Sequence, residues 1–142
     1  MEKVGVLSGA TYFNDSKATN DISAAVAIKA LEGPLLLLMG GRDKGDGYAH
    51  SRQWASGKTR LVIAFGEASE KIYHDFRDGF EVMMCSTMQS ACERARENAL
   101  PGDTVLLSPA CSSFDEFSNF RQRGDAFKDW FVEHKKQECA HG

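Results

Sequence analysis

Pro34-Leu35-Leu36-Leu37-Leu38-Met39-Gly40-Gly41-Arg42-Asp43-Lys44-Gly45 is the stretch that decides the fold. Leu35 to Met39 is apolar at every position. A strand with one wet face would alternate. An unbroken apolar run this short points instead to a strand covered on both faces, as in a parallel sheet between helices. It is far too short to span a bilayer. The residues from Gly40 to Gly47 form a loop. Its glycines permit close backbone approach and positive φ, and Lys44 presents a compact charge able to meet a carboxylate or phosphate.

Working outward, Val4–Leu7 and Ala10–Phe13 read as two short strands around Ser8-Gly9, an antiparallel pair. Ile22, Ala25, Val26, Ile28, Ala30 and Leu31 repeat at helical spacing, with Thr19 or Asn20 as the N-cap and Gly33-Pro34 as the stop. Beyond the glycine loop, His50–Ala55 predicts a short helix, Arg60–Phe65 a strand, Ala68–Phe76 a helix and Phe80–Met84 a strand. Met88–Asn98 predicts a helix with Ser86 or Thr87 near its cap. Pro101-Gly102-Asp103 turns into a strand over Thr104–Leu107. A last helix is expected from about Phe114 to Lys135, with a break near Gly124. Phe114, Phe117, Phe120 and Phe127 would form its buried stripe, and the tail from Gln137 onward would fray. Strands alternating with helices imply βαβ units and a largely parallel α/β sheet. Right-handed crossovers then set the strand C-terminal ends along one edge, where open α/β sheets bind ligands.

The chain has 142 residues, a length that suits one domain, and its 42% hydrophobic and 26% charged content is ordinary for a globular protein. A net charge of −3, with the 17 basic residues scattered, gives no reason to expect nucleic acid. Cys85, Cys92, Cys111 and Cys139 form no CxxC pair or zinc spacing, and no metal set is expected. They read as free thiols in a reduced, cytoplasmic setting. Gly57-Lys58-Thr59 spells the end of a phosphate-binding P-loop. That motif needs another glycine five residues earlier, where Arg52 stands, and a helix after it rather than a strand. The histidines are well separated and suggest no triad. Trp54 and Trp130 read as packing residues, and Arg121, Arg123 and Asp125 as an ion-pair network.

Two polar clusters remain: Asn14-Asp15-Ser16-Lys17-Ala18-Thr19-Asn20, and Ser108 to Phe117. Each reads as a strand emptying into a hydroxyl-rich turn that opens a helix. Such turns aim N–H groups and a positive dipole end at one point, which suits an anion. Both clusters and the glycine loop follow strands directly, so all three fall on the ligand edge. Together they could hold one ligand with several negative charges.

Three blocks carry a family resemblance: NDSKATN (Asn14–Asn20), GGRDKG (Gly40–Gly45) and LSPACSSFDEFSNFRQRG (Leu107–Gly124). They resemble the C-terminal domain of the Mur ligases, closest to the branch that adds D-glutamate during peptidoglycan synthesis. The resemblance implies a Rossmann-like, mostly parallel sheet flanked by helices. It implies ATP-dependent amide formation between UDP-MurNAc-L-alanine and D-glutamate through an acyl phosphate. Asp15 would accept hydrogen bonds from the nucleotide, and Lys17 would face the phosphate-transfer region. Thr19, Lys44, Ser113 and the backbone around Phe120 would hold the two carboxylates of D-glutamate. ATP and magnesium would be bound mainly by an N-terminal and a central domain. The family's nucleotide-contacting arginine would fall just before Met1. The expectation is therefore a single C-terminal domain, residues 1–142, inactive by itself. Two alternatives stand beside it. One is a related ligase domain for another amino acid, as in other Mur ligases or folylpolyglutamate synthase, against which the NDSKATN and SPACSSFDEF strings argue. The other is a stand-alone module that binds an anion or a partner protein.

Overall fold

The computed structural model describes residues 1–141. In chain order the elements are β1 (Glu2–Leu7), β2 (Ala10–Asn14), α1 (Asp21–Ala30), β3 (Leu35–Gly40), α2 (Ala49–Ala55), β4 (Thr59–Phe65), α3 (Ser69–Phe76), β5 (Val82–Cys85), α4 (Met88–Asn98), β6 (Thr104–Ala110) and α5 (Phe120–His141). The strands form one six-stranded sheet in the order β1-β2-β6-β3-β4-β5. β1 pairs antiparallel with β2, and every other pairing is parallel. The apolar run Leu35–Met39 lies inside β3, flanked by β6 and β4, with every residue buried.

Alternate residues of the central strands feed two cores. Leu36, Leu38, Ile63, Phe65, Val105 and Leu107 pack with α4 and α5 residues such as Met88, Cys92, Phe127 and Trp130. Leu35, Leu37, Met39, Val62, Ala64 and Leu106 face Ala24, Ile28, Ala55, Ile72 and Phe76, from α1, α2 and α3. This is the period-2 logic of a strand buried twice over. No described helix is long and apolar enough to cross a membrane.

The helix faces correct several sequence expectations. On α1 the buried positions include Asp21, Ala24, Ala25 and Ile28, at i, i+3, i+4 and i+7. Ile22 and Val26, counted in the apolar repeat, are 63% and 65% exposed. Small alanines let the helix lie close to the sheet, so its bulkier apolar residues are the ones left outside. Asn20, not Thr19, is the cap: its side chain accepts from the Ser23 N–H at 2.8 Å. Asn20→Ala is expected to cost about 1 kcal/mol of unfolding free energy, read by urea denaturation. An unchanged midpoint would show that the cap contributes nothing.

The C-terminal third departs furthest. β6 continues through Ser108-Pro109 to Ala110, because β3 still pairs with it at Gly40↔Ala110. β2 has already ended opposite Leu107, so no ladder bond is asked of Pro109 on that side. Residues 111–119 then run without helix, and α5 starts only at Phe120, where the Asn119 side chain accepts from the Gln122 N–H at 2.9 Å. The proposed phenylalanine stripe fails with that boundary. Phe114 is 61% and Phe120 40% exposed, and only Phe127 of the four is fully buried. The real stripe is Phe127, Trp130 and Phe131, whose rings gather on Tyr12 with centroids 5.3–6.4 Å away. Gly124 does not break α5. A Cβ there would meet Asn14 at 3.1 Å, so the glycine lets the helix approach the end of β2. Nor does the tail fray at Gln137: α5 extends to His141.

Candidate functional site

β6 sits between β2 and β3, yet it is followed by a helix on the opposite face of the sheet from theirs. Neighbouring strands whose helices diverge leave a crevice beyond their C-terminal ends, the usual binding place in an open α/β sheet. The three segments singled out in the sequence leave the sheet at these strands: residues 15–20 after β2, 41–47 after β3 and 111–119 after β6.

Backbone bonds tie the segments together. The Asp15 N–H donates to the Leu107 carbonyl at 2.8 Å, and the Ala110 N–H to the Ala18 carbonyl at 2.9 Å. Arg42 and Ser112 exchange two N–H···O bonds of 2.9 and 3.2 Å. At the rim the Lys44 ammonium lies 3.5 Å from the Thr19 hydroxyl. Ser113 is 2% exposed, and its carbonyl accepts from the Glu116 and Phe117 N–H groups. Ser113 therefore sits in a turn rather than at a helix N-cap.

Asp15 and Lys17 share a cavity of about 310 Å³ with Phe120 and Arg121, between the end of β2 and the start of α5. The Asp15 carboxylate is buried, with the Ser108 hydroxyl at 3.5 Å and the Met1 amine at 3.5 Å. The Lys17 side chain is exposed. The Phe120 carbonyl accepts from the Ser16 hydroxyl at 2.7 Å. Lys44 lines a different hollow of about 630 Å³, with Asn20, Asp46 and His50. The structure thus brings Thr19 to Lys44, and Ser112 to Arg42, but Asp15, Lys17 and Phe120 line one hollow and Lys44 another, while Thr19 and Ser113 line neither of these two.

Three interactions here lie outside the sequence expectations. The first is Arg123, 1% exposed and not part of an ion-pair network with Arg121 and Asp125. Its guanidinium donates to the Ser16 hydroxyl (3.0 Å), the Ser16 carbonyl (2.7 Å) and the Cys111 carbonyl (3.0 Å). Burial pulls its pKa down to about 10, while Cys111, Asp115 and Glu116 act to raise it. It stays a cation at neutral pH. One signal was available: Arg123 shares the i, i+4, i+7, i+8 face of Phe127, Trp130 and Phe131.

The second is Asp21, which accepts from the His50 and Ser51 N–H groups at 2.9 Å each and lies 3.0 Å from the His50 ring. Burial would raise its pKa, but the bonds from Ser51 and His50 outweigh that and hold it below the usual carboxylate value. The third is Asp43. It takes the Tyr48 hydroxyl at 2.7 Å and the Lys71 ammonium at 2.9 Å. Its partial burial is likewise outweighed by those bonds, and its pKa is lowered. Lys58 of the P-loop look-alike donates to the Ile28 and Leu31 carbonyls at the end of α1, a structural task. The four cysteines are free thiols.

The fold is that of an open, mostly parallel α/β domain, a class that binds its ligands beyond the C-terminal ends of the strands. Residues 1–111 match the family model described as "Mur ligase, glutamate ligase domain", and the chain belongs to that family. It is 44% identical over 128 residues to the UDP-N-acetylmuramoylalanine–D-glutamate ligase of Myxococcus xanthus, an alignment covering 90% of this chain and 28% of that protein. The ligases of the same name from Acidobacterium capsulatum (41% identity, 95% of this chain, 29% of that protein) and Aquifex aeolicus (38%, 93% and 33%) are similar. The chain thus spans about a third or less of the curated relatives' length. Among solved structures, a domain assigned to a UDP-N-acetylmuramate:L-alanyl-gamma-D-glutamyl-medo-diaminopimelate ligase from Haemophilus ducreyi shares the fold. Its TM-score is 0.57 at 15% identity, over 77% of this chain and 86% of that one.

Proposed function

We propose that residues 1–142 act as the D-glutamate-binding domain of a cytoplasmic UDP-N-acetylmuramoylalanine–D-glutamate ligase, within ATP-dependent amide formation for peptidoglycan. The observation that carries this reading is the approach of the Lys44 ammonium to the Thr19 hydroxyl, beside a segment joined to Ser112. A dicarboxylate needs cationic and hydroxyl donors from separate directions, and these segments supply them. Lys44 and Thr19 would hold one carboxylate. Ser113 and the Phe120 and Arg121 N–H groups, ahead of the Gln122 N–H that Asn119 caps, would suit the other. Lys17, exposed at the mouth of the neighbouring cavity, suits a phosphate. Asp15, whose carboxylate oxygens have acceptor sites beyond the contact to the Ser108 hydroxyl, would accept hydrogen bonds from the nucleotide. The described residues include no group of three His, Cys, Asp or Glu placed to hold a metal. By the family resemblance, magnesium and most contacts to ATP and UDP-MurNAc-L-alanine would fall to the additional length that the relatives carry.

The test is titration of the isotope-labelled chain with D- and L-glutamate. Amide shifts at Thr19, Lys44 and Ser113 are expected with the D isomer and not with the L isomer at equal concentration. Lys44→Ala should weaken the D-glutamate response roughly ten- to hundredfold, the worth of one charge-assisted bond. Identical responses to both isomers would refute the assignment.

A further inference from the structure

We propose that Tyr48 is a positioning residue: its buried hydroxyl clamps the Lys44 loop to the segment that carries Ser113. The residue is 3% exposed. The phenol lies 2.7 Å from an Asp43 oxygen and 3.2 Å from the Cys111 sulfur. A phenol has one proton, and a carboxylate can only accept, so that proton points at Asp43. The Cys111 thiol must then donate to the phenol oxygen. The thiol keeps its proton at neutral pH, because burial above all pushes its pKa up to about 11. The outcome is a chain of donors with one sense, Cys111 to Tyr48 to Asp43, closed from the far side by the Lys71 ammonium of α3 at 2.9 Å.

The two ends of this chain are adjacent to the site residues. Asp43 precedes Lys44, and its second oxygen accepts from the Gly45 N–H at 3.2 Å, which fixes the turn at Lys44 itself. Cys111 precedes Ser112, which pairs with Arg42. The clamp and the Arg42–Ser112 pair are two independent ties between the same segments, one through side chains and one through backbone. Together they set the spacing between the Lys44 ammonium and Ser113. That spacing has to match the distance between the two carboxylates of the ligand, if D-glutamate is the occupant as proposed above.

The experiment uses Tyr48→Phe, which keeps the ring and removes the one hydroxyl. Ile63→Val, a core change in β4 away from the loops, serves as a control for general loss of stability. Tyr48→Phe is expected to speed hydrogen exchange at the Arg42 and Ser112 amides about tenfold and to weaken D-glutamate binding about three- to tenfold. Ile63→Val is expected to change neither. Asp43→Ala, which removes the acceptor at the partly exposed end of the chain, should repeat both changes if Tyr48→Phe folds poorly. Unaltered exchange at Arg42 and Ser112 in a folded variant overturns the clamp, as does an equal change in the control. If the wild-type chain takes no D-glutamate but exchange still responds to Tyr48→Phe, the clamp stands and the ligand assignment falls.

Discussion

Arg123→Ala is expected to lower the unfolding free energy by about 3–5 kcal/mol. The guanidinium is 1% exposed and donates to two backbone carbonyls and a hydroxyl. Its removal deletes charge-assisted bonds and leaves the Ser16 and Cys111 carbonyls buried without that donor, each costing about 1–3 kcal/mol. It also opens a void between α5 and the sheet edge. No carboxylate touches this cation, although Asp115 and Glu116 act on it from nearby. Its anchors are carbonyl dipoles at the ends of two strands, and it therefore holds residues 15–17 against residue 111. Arg123→Lys should recover part of the loss, since an ammonium cannot reach several acceptors in a fixed fork. Urea unfolding of the variants measures this. A loss below about 1 kcal/mol for Arg123→Ala would mean the loops are held by the backbone bonds alone.

Arg123 also marks the limit of what the sequence disclosed. The centre of the sheet was legible because its strands are buried on both faces: Leu35–Met39 and Val105–Leu107 leave no polar position to misread. The site segments were legible because hydroxyl and glycine clusters stand directly after such strands. Helix faces were less clear. On α1, large apolar residues look like a core face, but the sheet accepts the alanines. After β6, Phe114 and Phe117 keep helical spacing in a segment without helix, because spacing alone does not show where the first capped turn begins. The Tyr48–Asp43–Lys71 chain was invisible for another reason. Its members are polar residues whose meeting depends on how α2 and α3 dock, and no local pattern encodes that. In the first cluster the sequence left Thr19 or Asn20 as the cap; Asn20 caps α1, and Thr19 is left at the rim beside Lys44.

Gly41→Ala is expected to be far more damaging than Gly47→Ala in the same loop, costing about 2–4 kcal/mol and disabling ligand binding with it. Gly41 has φ +129°, a conformation that L side chains rarely adopt. A Cβ there would lie 2.2 Å from the Ser112 carbonyl oxygen, and 3.1 Å from both Arg123 Nη1 and Cys111 Cβ. The nearest atom is backbone and cannot rotate away. The residue is also pinned on both sides, since its N–H donates to the Phe65 carbonyl at 3.2 Å and its carbonyl accepts from the Ala68 N–H at 2.9 Å. Relief therefore has to come from Ser112, which would move away from Arg42 and take Ser113 out of register with Lys44. Gly47 is the natural comparison. It too has positive φ, +72°, but nothing lies within 4 Å of its Cβ direction. Gly47→Ala should cost only the left-handed backbone penalty, about 1–2 kcal/mol, and leave D-glutamate binding in place. Denaturation together with the D-glutamate titration separates the two effects. Similar behaviour of the two variants would show that the close approach of Gly41 to Ser112 does not set the geometry of the site.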